Sequence, residues 1–352
     1  MTFQPTPFVP RRWLSNGHLQ TILASVLARK IALPPYTSEL IEVSPATSNQ
    51  ISSQVLCHCH WQPEAVRTQR LTVILVHGLE GSSQSQYMIG NTHKMWLAGC
   101  NVVRMNMRNC GGTESLSPTH YHSGLSGDVN AVMQLLIRRH SLERMALVGY
   151  SMGGNLALKL AGELGSELPT SAAGPILRAV VGVSPALDLG ASSDALHQPS
   201  NRLYERRFRA ALLKRFRRKV MLFPRVYDPA SADGVQSLRE FDERITALYS
   251  GFSGASDYYF RAAAARVLDR IRVPTLILNA LDDPFIRITP ESRALIRANP
   301  HITLLESAHG GHCAFLAAPD PAAPDPAAPN PALPYDGYWA EATLLRFLLA
   351  YA

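Results

Sequence analysis

From about residue 71 the chain alternates short β-branched runs with helical patterns, and no other feature restricts its fold so strongly. Residues 71–76, 101–105, 145–148, 177–183, 275–279 and 302–305 are apolar stretches of strand length. Strands that are apolar on both faces must be covered on both. The helical stretches 128–140, 152–164 and 338–349 fall between and after them. This pattern predicts an α/β fold with a mostly parallel, doubly wound sheet and helices on both faces. Upstream, residues 40–43 and 54–61 read as an antiparallel edge pair.

The 352 residues divide into four segments. Residues 1–70 form an N-terminal arm and edge strands, and 71–187 the first part of the core. Residues 188–264 are Arg-rich and helical without a buried-strand pattern, so they read as a helical cap insertion between two core strands. Residues 265–352 complete the core and contain a Pro-rich loop, 319–334, whose sequence PDPAAPDPAAPNPALP holds seven of the 25 prolines. It is expected to be extended and solvent-exposed.

With 46% hydrophobic and 17% charged residues the chain is neither disordered, collagen-like nor a coiled coil. Its longest strongly apolar uncharged run, 145–158, ends at Lys159 after 14 residues, too short for a membrane span. The first residues lack a signal-peptide pattern, so a soluble, cytoplasmic protein is expected. Five cysteines without C-x-x-C spacing, Cys57, Cys59, Cys100, Cys110 and Cys313, fit reduced thiols. Cys57-His58-Cys59-His60 resembles a metal-ligand run. Strand alternation would send cysteines and histidines to opposite faces, and no second ligand pair lies nearby, so the strand reading is preferred and no metal is expected.

The net charge of +7 is concentrated: residues 202–219 hold nine basic residues and one acidic, Glu205, a local +8 that leaves about −1 elsewhere. Phe208, Leu212, Phe216 and Val220 recur every four residues, as on one helix face, with Arg209, Lys214, Arg217 and Arg218 around the rest. A solvated helix face is the favoured reading. The sharper one is weak contact of segment 202–219 with an anionic membrane surface. No nucleic-acid motif accompanies the charge.

The strongest chemical signal is Gly149-Tyr150-Ser151-Met152-Gly153, a G-x-S-x-G between a strand and a helix. That is the setting of a nucleophile elbow, in which a tight turn presents the serine at a helix N-terminus. Tyr150-Ser151-Met152 breaks the G-x-G-x-x-G spacing a dinucleotide would need, so no cofactor is expected. A serine hydroxyl needs a histidine base, and the histidine a carboxylate. The order serine, acid, histidine is met by Ser151, Asp283 132 residues later and His312 another 29 on. Asp283, before Pro284, is preferred to Asp282; His312, before an apolar segment, is preferred to His309. An oxyanion hole would use the amides of Met152 and of Leu79, in the loop His77-Gly78-Leu79-Glu80-Gly81. His77 and Glu80 read as bracing residues.

Further motifs are Asn16-Gly17-His18-Leu19-Gln20-Thr21, Asn106-Met107-Arg108-Asn109-Cys110-Gly111-Gly112, Tyr121-His122-Ser123-Gly124, Arg239-Glu240-Phe241-Asp242, Asp257-Tyr258-Tyr259, Asp282-Asp283-Pro284-Phe285 and His309-Gly310-Gly311-His312. With the serine elbow they resemble the YheT-like branch of the α/β-hydrolase family, serine esterases related to eukaryotic membrane-associated lipid hydrolases. The resemblance implies that Gly310-Gly311-His312 carries the catalytic histidine. Asn109 departs from the glycine usual in the family, and the proline repeat is an addition. The expected function is serine hydrolysis of short- to medium-chain or lipid-like carboxylic esters. An acyltransferase with the same triad, or a non-catalytic lipid- or protein-binding module, are the alternatives.

Overall fold

The computed structural model describes residues 3–47, 51–171, 174–324 and 334–352. Eight strands form one sheet: β1 (Thr37–Ser44), β2 (Ser53–His60), β3 (Thr72–Val76), β4 (Asn101–Met105), β5 (Met145–Tyr150), β6 (Leu177–Val183), β7 (Thr275–Ala280) and β8 (Ile302–Ser307). Their spatial order is β1-β2-β4-β3-β5-β6-β7-β8. β2 runs antiparallel to both β1 and β4, and the six strands from β3 onward are mutually parallel. The expected α/β architecture is therefore the observed one, edge pair included.

Alternation along the strands separates two cores. Ile74 and Val76 of β3, with Met145 and Leu147 of β5, face the side covered by α3 (Ser126–His140) and α4 (Met152–Leu164). Val73, Leu75, Ala146 and Val148 face the side covered by α2 (Gln86–Leu97) and α9 (Trp339–Tyr351). Because the strands are parallel, the loops at their C-terminal ends collect at one edge, where ligands of open α/β sheets bind.

Between β6 and β7 lie α5 (Leu189–Leu196), α6 (Arg202–Leu222), α7 (Ala255–Ala262) and short helical turns. Helix α8 (Pro290–Ala298) follows β7, and α1 (Gly17–Val26) precedes the sheet. In β2, Cys57 and Cys59 are buried in the first core, while His58 and His60 lie against Tyr36 with ring centroids 4.7 and 5.4 Å away. Among the described residues no group of three or more His, Cys, Asp or Glu is arranged to hold a metal. Nor, among the described residues, is any helix long and apolar enough to cross a membrane. The Pro-rich segment differs from a plain extended loop at its ends, where Asp320–Pro324 pairs antiparallel with Pro334–Tyr335. Its middle, 325–333, lies outside the described residues.

Candidate active site

Ser151 stands between the last residue of β5 and the first of α4 with φ 53° and ψ −117°, a conformation that is costly for any side-chain-bearing residue. Two glycines make the turn possible: a Cβ on Gly149 would overlap the Gly153 carbonyl, and one on Gly153 would overlap the Val76 carbonyl. The Ser151 N–H donates to Val183 O on β6 at 2.9 Å, which pins the turn to the sheet.

The loop after β7 carries Asp283, whose side chain is fully buried. Its Oδ1 accepts the Phe285 and Ile286 amides at 3.0 and 2.9 Å, leaving Oδ2 to accept from His312 Nδ1 at 2.8 Å. Asp282 turns away: its Oδ1 accepts the Gly311 amide at 2.8 Å and its Oδ2 lies 3.5 Å from His309 Nδ1. The two acids and two histidines thus sort into a buried pair and a more exposed one. Burial works hardest on His312, against its charged form, but the Asp283 charge and the neighbouring Cys313 outweigh it and raise the pKa above the ordinary histidine value.

Helix α1 braces this loop. Thr21 Oγ1 accepts the His312 amide at 2.8 Å and donates to Gly17 O at 2.7 Å. A Cβ on Gly17 would overlap the Asp282 carbonyl, which explains a glycine inside Asn16-Gly17-His18. Ser151 Oγ and His312 Nε2 are not hydrogen-bonded among the described residues; Nε2 meets Cys313 Sγ at 3.6 Å. Val183 O joins the two sides, accepting from Ser151 N and, at 3.7 Å, from Cys313 Sγ.

On the other side of Ser151 the 77–81 loop makes direct contact: a Cβ on Gly78 would stand 3.1 Å from Ser151 Cβ. Met152 is the first residue of α4, so its amide has no intrahelical acceptor. The Leu79 amide meets no protein acceptor among the described residues. His77 is buried, which lowers its pKa to about 4. Its Nδ1–H donates to Gly78 O at 2.8 Å while Nε2 accepts the Met107 amide at 3.1 Å, so the ring ties this loop to the one after β4.

Glu80, at φ 56°, is held by two distant segments. Its Oε1 accepts from Tyr121 OH at 2.5 Å and Arg215 Nε at 2.9 Å, and its Oε2 from Arg215 Nη2 at 3.1 Å. Arg215 also donates to Asn109 O. Asn109 occupies the left-handed region at φ 64°, which Asn tolerates better than most residues, and its Nδ2 donates to Thr119 O at 2.7 Å. Its Oδ1 accepts from Lys219 Nζ at 3.1 Å. The reading of α6 as a solvated basic face holds for Lys214, Arg217 and Arg218, which are exposed, but not for Arg215 and Lys219. Arg215 and Lys219 turn inward because carboxylate and carbonyl acceptors await them, and Lys219, which also donates to Ser117 O, is fully buried. Burial lowers the Lys219 pKa to about 7, opposed by the charge of Glu114. Helical spacing sets these two cations apart from their exposed neighbours: Arg215 and Lys219 stand seven residues after Phe208 and Leu212, on the apolar side of the helix.

The sequence profile described as alpha/beta hydrolase fold matches residues 72–319. The chain is 32% identical to YheT of Escherichia coli strain K12, whose name carries the word esterase, across 88% of this chain and 87% of that one. It is 30% identical to Phospholipase ABHD3 of Mus musculus across 90% of this chain and 73% of that one. Among solved structures, an esterase/lipase from an uncultured bacterium superposes with a TM-score of 0.51 at 13% identity, across 95% of this chain and 97% of that one, a likeness of fold.

Proposed function

Since this chain belongs to the α/β-hydrolase family, we propose that it is a serine hydrolase that cleaves carboxylic esters through an acyl-enzyme. Ser151 Oγ attacks the ester carbonyl while His312 Nε2 takes its proton, a contact that closes when substrate tightens the site. The new C–O bond puts negative charge on the carbonyl oxygen, which the Leu79 and Met152 amides receive. Collapse breaks the bond to the alcohol, and His312 returns its proton to that leaving group. Water then repeats the sequence on the acyl-serine. Asp283 holds the His312 ring in the Nδ1–H tautomer and stabilises the imidazolium.

The observation that carries this reading is the 2.8 Å His312–Asp283 bond beside a serine held at φ 53°. The relatives named as an esterase and a phospholipase favour an ester, lipid-like esters included; the substrates proposed are short- to medium-chain acyl esters, lysolipids and monoacylglycerols. Residues 188–264 act as the cap that shapes the acyl pocket. The test is turnover of p-nitrophenyl esters of graded chain length by wild type and Ser151→Ala. Hydrolysis by wild type alone supports the reading; none on any ester, from folded protein, overturns it. Product analysis with an added alcohol separates hydrolysis from acyl transfer.

A further inference from the structure

Helix α1 carries its polar and apolar residues in an unusual arrangement. Gly17, Gln20 and Thr21 are buried against the acid and histidine loops, where Gln20 Nε2 donates to Leu14 O at 2.8 Å and Leu316 O at 3.1 Å. Leu23 and Ala24 pack on Leu14, Ala314 and Leu316. The outward side, where a water-facing helix places polar residues, instead presents Leu19, Ile22 and Val26 at 48, 46 and 61% exposure. Their i, i+3, i+7 spacing puts them on one stripe. Just upstream, Trp13 is held out at 77% exposure with φ 67°.

The charge that the N-terminal segment itself brings to this stripe has one sign. The first 38 residues contain Arg11, Arg12, Arg29 and Lys30 and no Asp or Glu. Arg29 is occupied by Asp336 and Glu341, but Arg11, Arg12 and Lys30 are exposed and form no ion pair among the described residues. The start of α6 abuts α1, because Tyr204 OH lies 3.3 Å from His18 Nδ1 and the rings stack. That end adds Leu203, 82% exposed, between the exposed Arg202 and Arg206.

We propose that the outer face of α1, flanked by the start of α6, seats the protein on an anionic lipid surface. An apolar stripe flanked by Arg11, Arg12 and Lys30, cations unpaired among the described residues, matches an interface of acyl chains below negative headgroups. The same helix touches the Asp283–His312 loop through Thr21, so docking brings the active-site edge to the bilayer, where a lipid ester would be taken. The biological purpose rests on the ester-hydrolase reading; the binding itself does not.

The test is co-sedimentation with phosphatidylcholine vesicles containing ~30 mol% phosphatidylglycerol at low salt. Wild type is compared with Ile22→Glu/Val26→Glu, Arg11→Glu/Arg12→Glu and, as a control on the far part of the basic helix, Arg217→Glu/Arg218→Glu. The proposal expects wild type to pellet and each of the first two variants to lose roughly tenfold or more in partitioning. The control should lose far less. Turnover of a water-soluble ester should be unchanged in the Ile22→Glu/Val26→Glu variant, which shows that the fold is intact. The proposal is overturned if wild type stays in the supernatant, or if the control loses as much as the α1 variants. A dimer of wild type that Ile22→Glu/Val26→Glu dissociates, without vesicle binding, would assign the face to a second copy instead. Vesicle binding without any ester turnover would leave this proposal standing and remove the hydrolase reading; turnover without binding would do the reverse.

Discussion

On one side of Ser151 the Asp283–His312 pair is held by single hydrogen bonds: the Phe285 and Ile286 amides, from the acid's own loop, donate to the carboxylate, and Thr21 Oγ1, from a distant part of the chain, accepts the histidine amide. On the other side the 77–81 loop depends on charge, with Glu80 gripped by Arg215 from a helix 135 residues further along the chain. Amide bonds to a fully buried carboxylate are little screened by salt. An ion pair whose side chains are 12 and 14% exposed is partly desolvated, so it is worth more than a surface pair and less than a fully buried one. The difference teaches that the acid is held largely by its own loop, whereas the 77–81 loop takes part of its support, through Arg215, from the segment between β6 and β7.

The largest expected effect removes the chemistry shared by both sides. Ser151→Ala and His312→Ala should each lower kcat by roughly 10⁴- to 10⁶-fold in steady-state assays of purified, folded protein. Next, Asp283→Asn should lower kcat roughly 10³- to 10⁴-fold, while Asp282→Asn, which keeps an acceptor for the Gly311 amide and loses only the charge beside His309, should cost at most about tenfold. Equal losses at the two acids would erase the distinction drawn between the buried pair and the exposed one.

Arg215→Ala probes the other side. Losing an oxyanion donor outright costs about 10²- to 10³-fold, and Arg215 acts one step removed through Glu80, so kcat should fall roughly 10- to 100-fold with little change in KM. Glu80→Gln should give a similar loss, and the double variant little more than either single one. A drop in melting temperature with unchanged kcat would mean that the pair only supports the fold.

The smallest effect is in pH. His312 must be neutral to accept the serine proton, and its pKa is raised, so kcat/KM should rise with pH on a limb centred above the ordinary histidine value of about 6.5. Asp283→Asn should move that limb of the residual activity to lower pH. Stability has the opposite sign: the pairing stabilises the fold fully below the unfolded histidine value and the contribution fades as pH rises through the folded one.

The contrast also explains what the sequence made legible. The strands, the elbow and the Asp283 and His312 positions are each announced within a few residues, by apolar runs, by glycines that the turn requires, or by a loop directly after a strand. The partners of Arg215 and Lys219 are not: their spacing from Phe208 and Leu212 turns them inward, but their acceptors, Glu80, Asn109 and the Ser117 carbonyl, lie 102 to 135 residues away. The bracing role of Thr21 and Gly17 was hidden for the same reason: Thr21 meets His312 across 291 residues. The motif Asn16–Thr21 could be recognised, but not what it touches.

The most direct test of an activated Ser151 is labelling of the folded protein with a fluorophosphonate probe, with the adduct located by peptide mass spectrometry. A single adduct on Ser151 is expected, absent from Ser151→Ala and strongly slowed in His312→Ala. Labelling of Ser151→Ala at the wild-type rate, or no adduct on folded wild type, would contradict an activated Ser151.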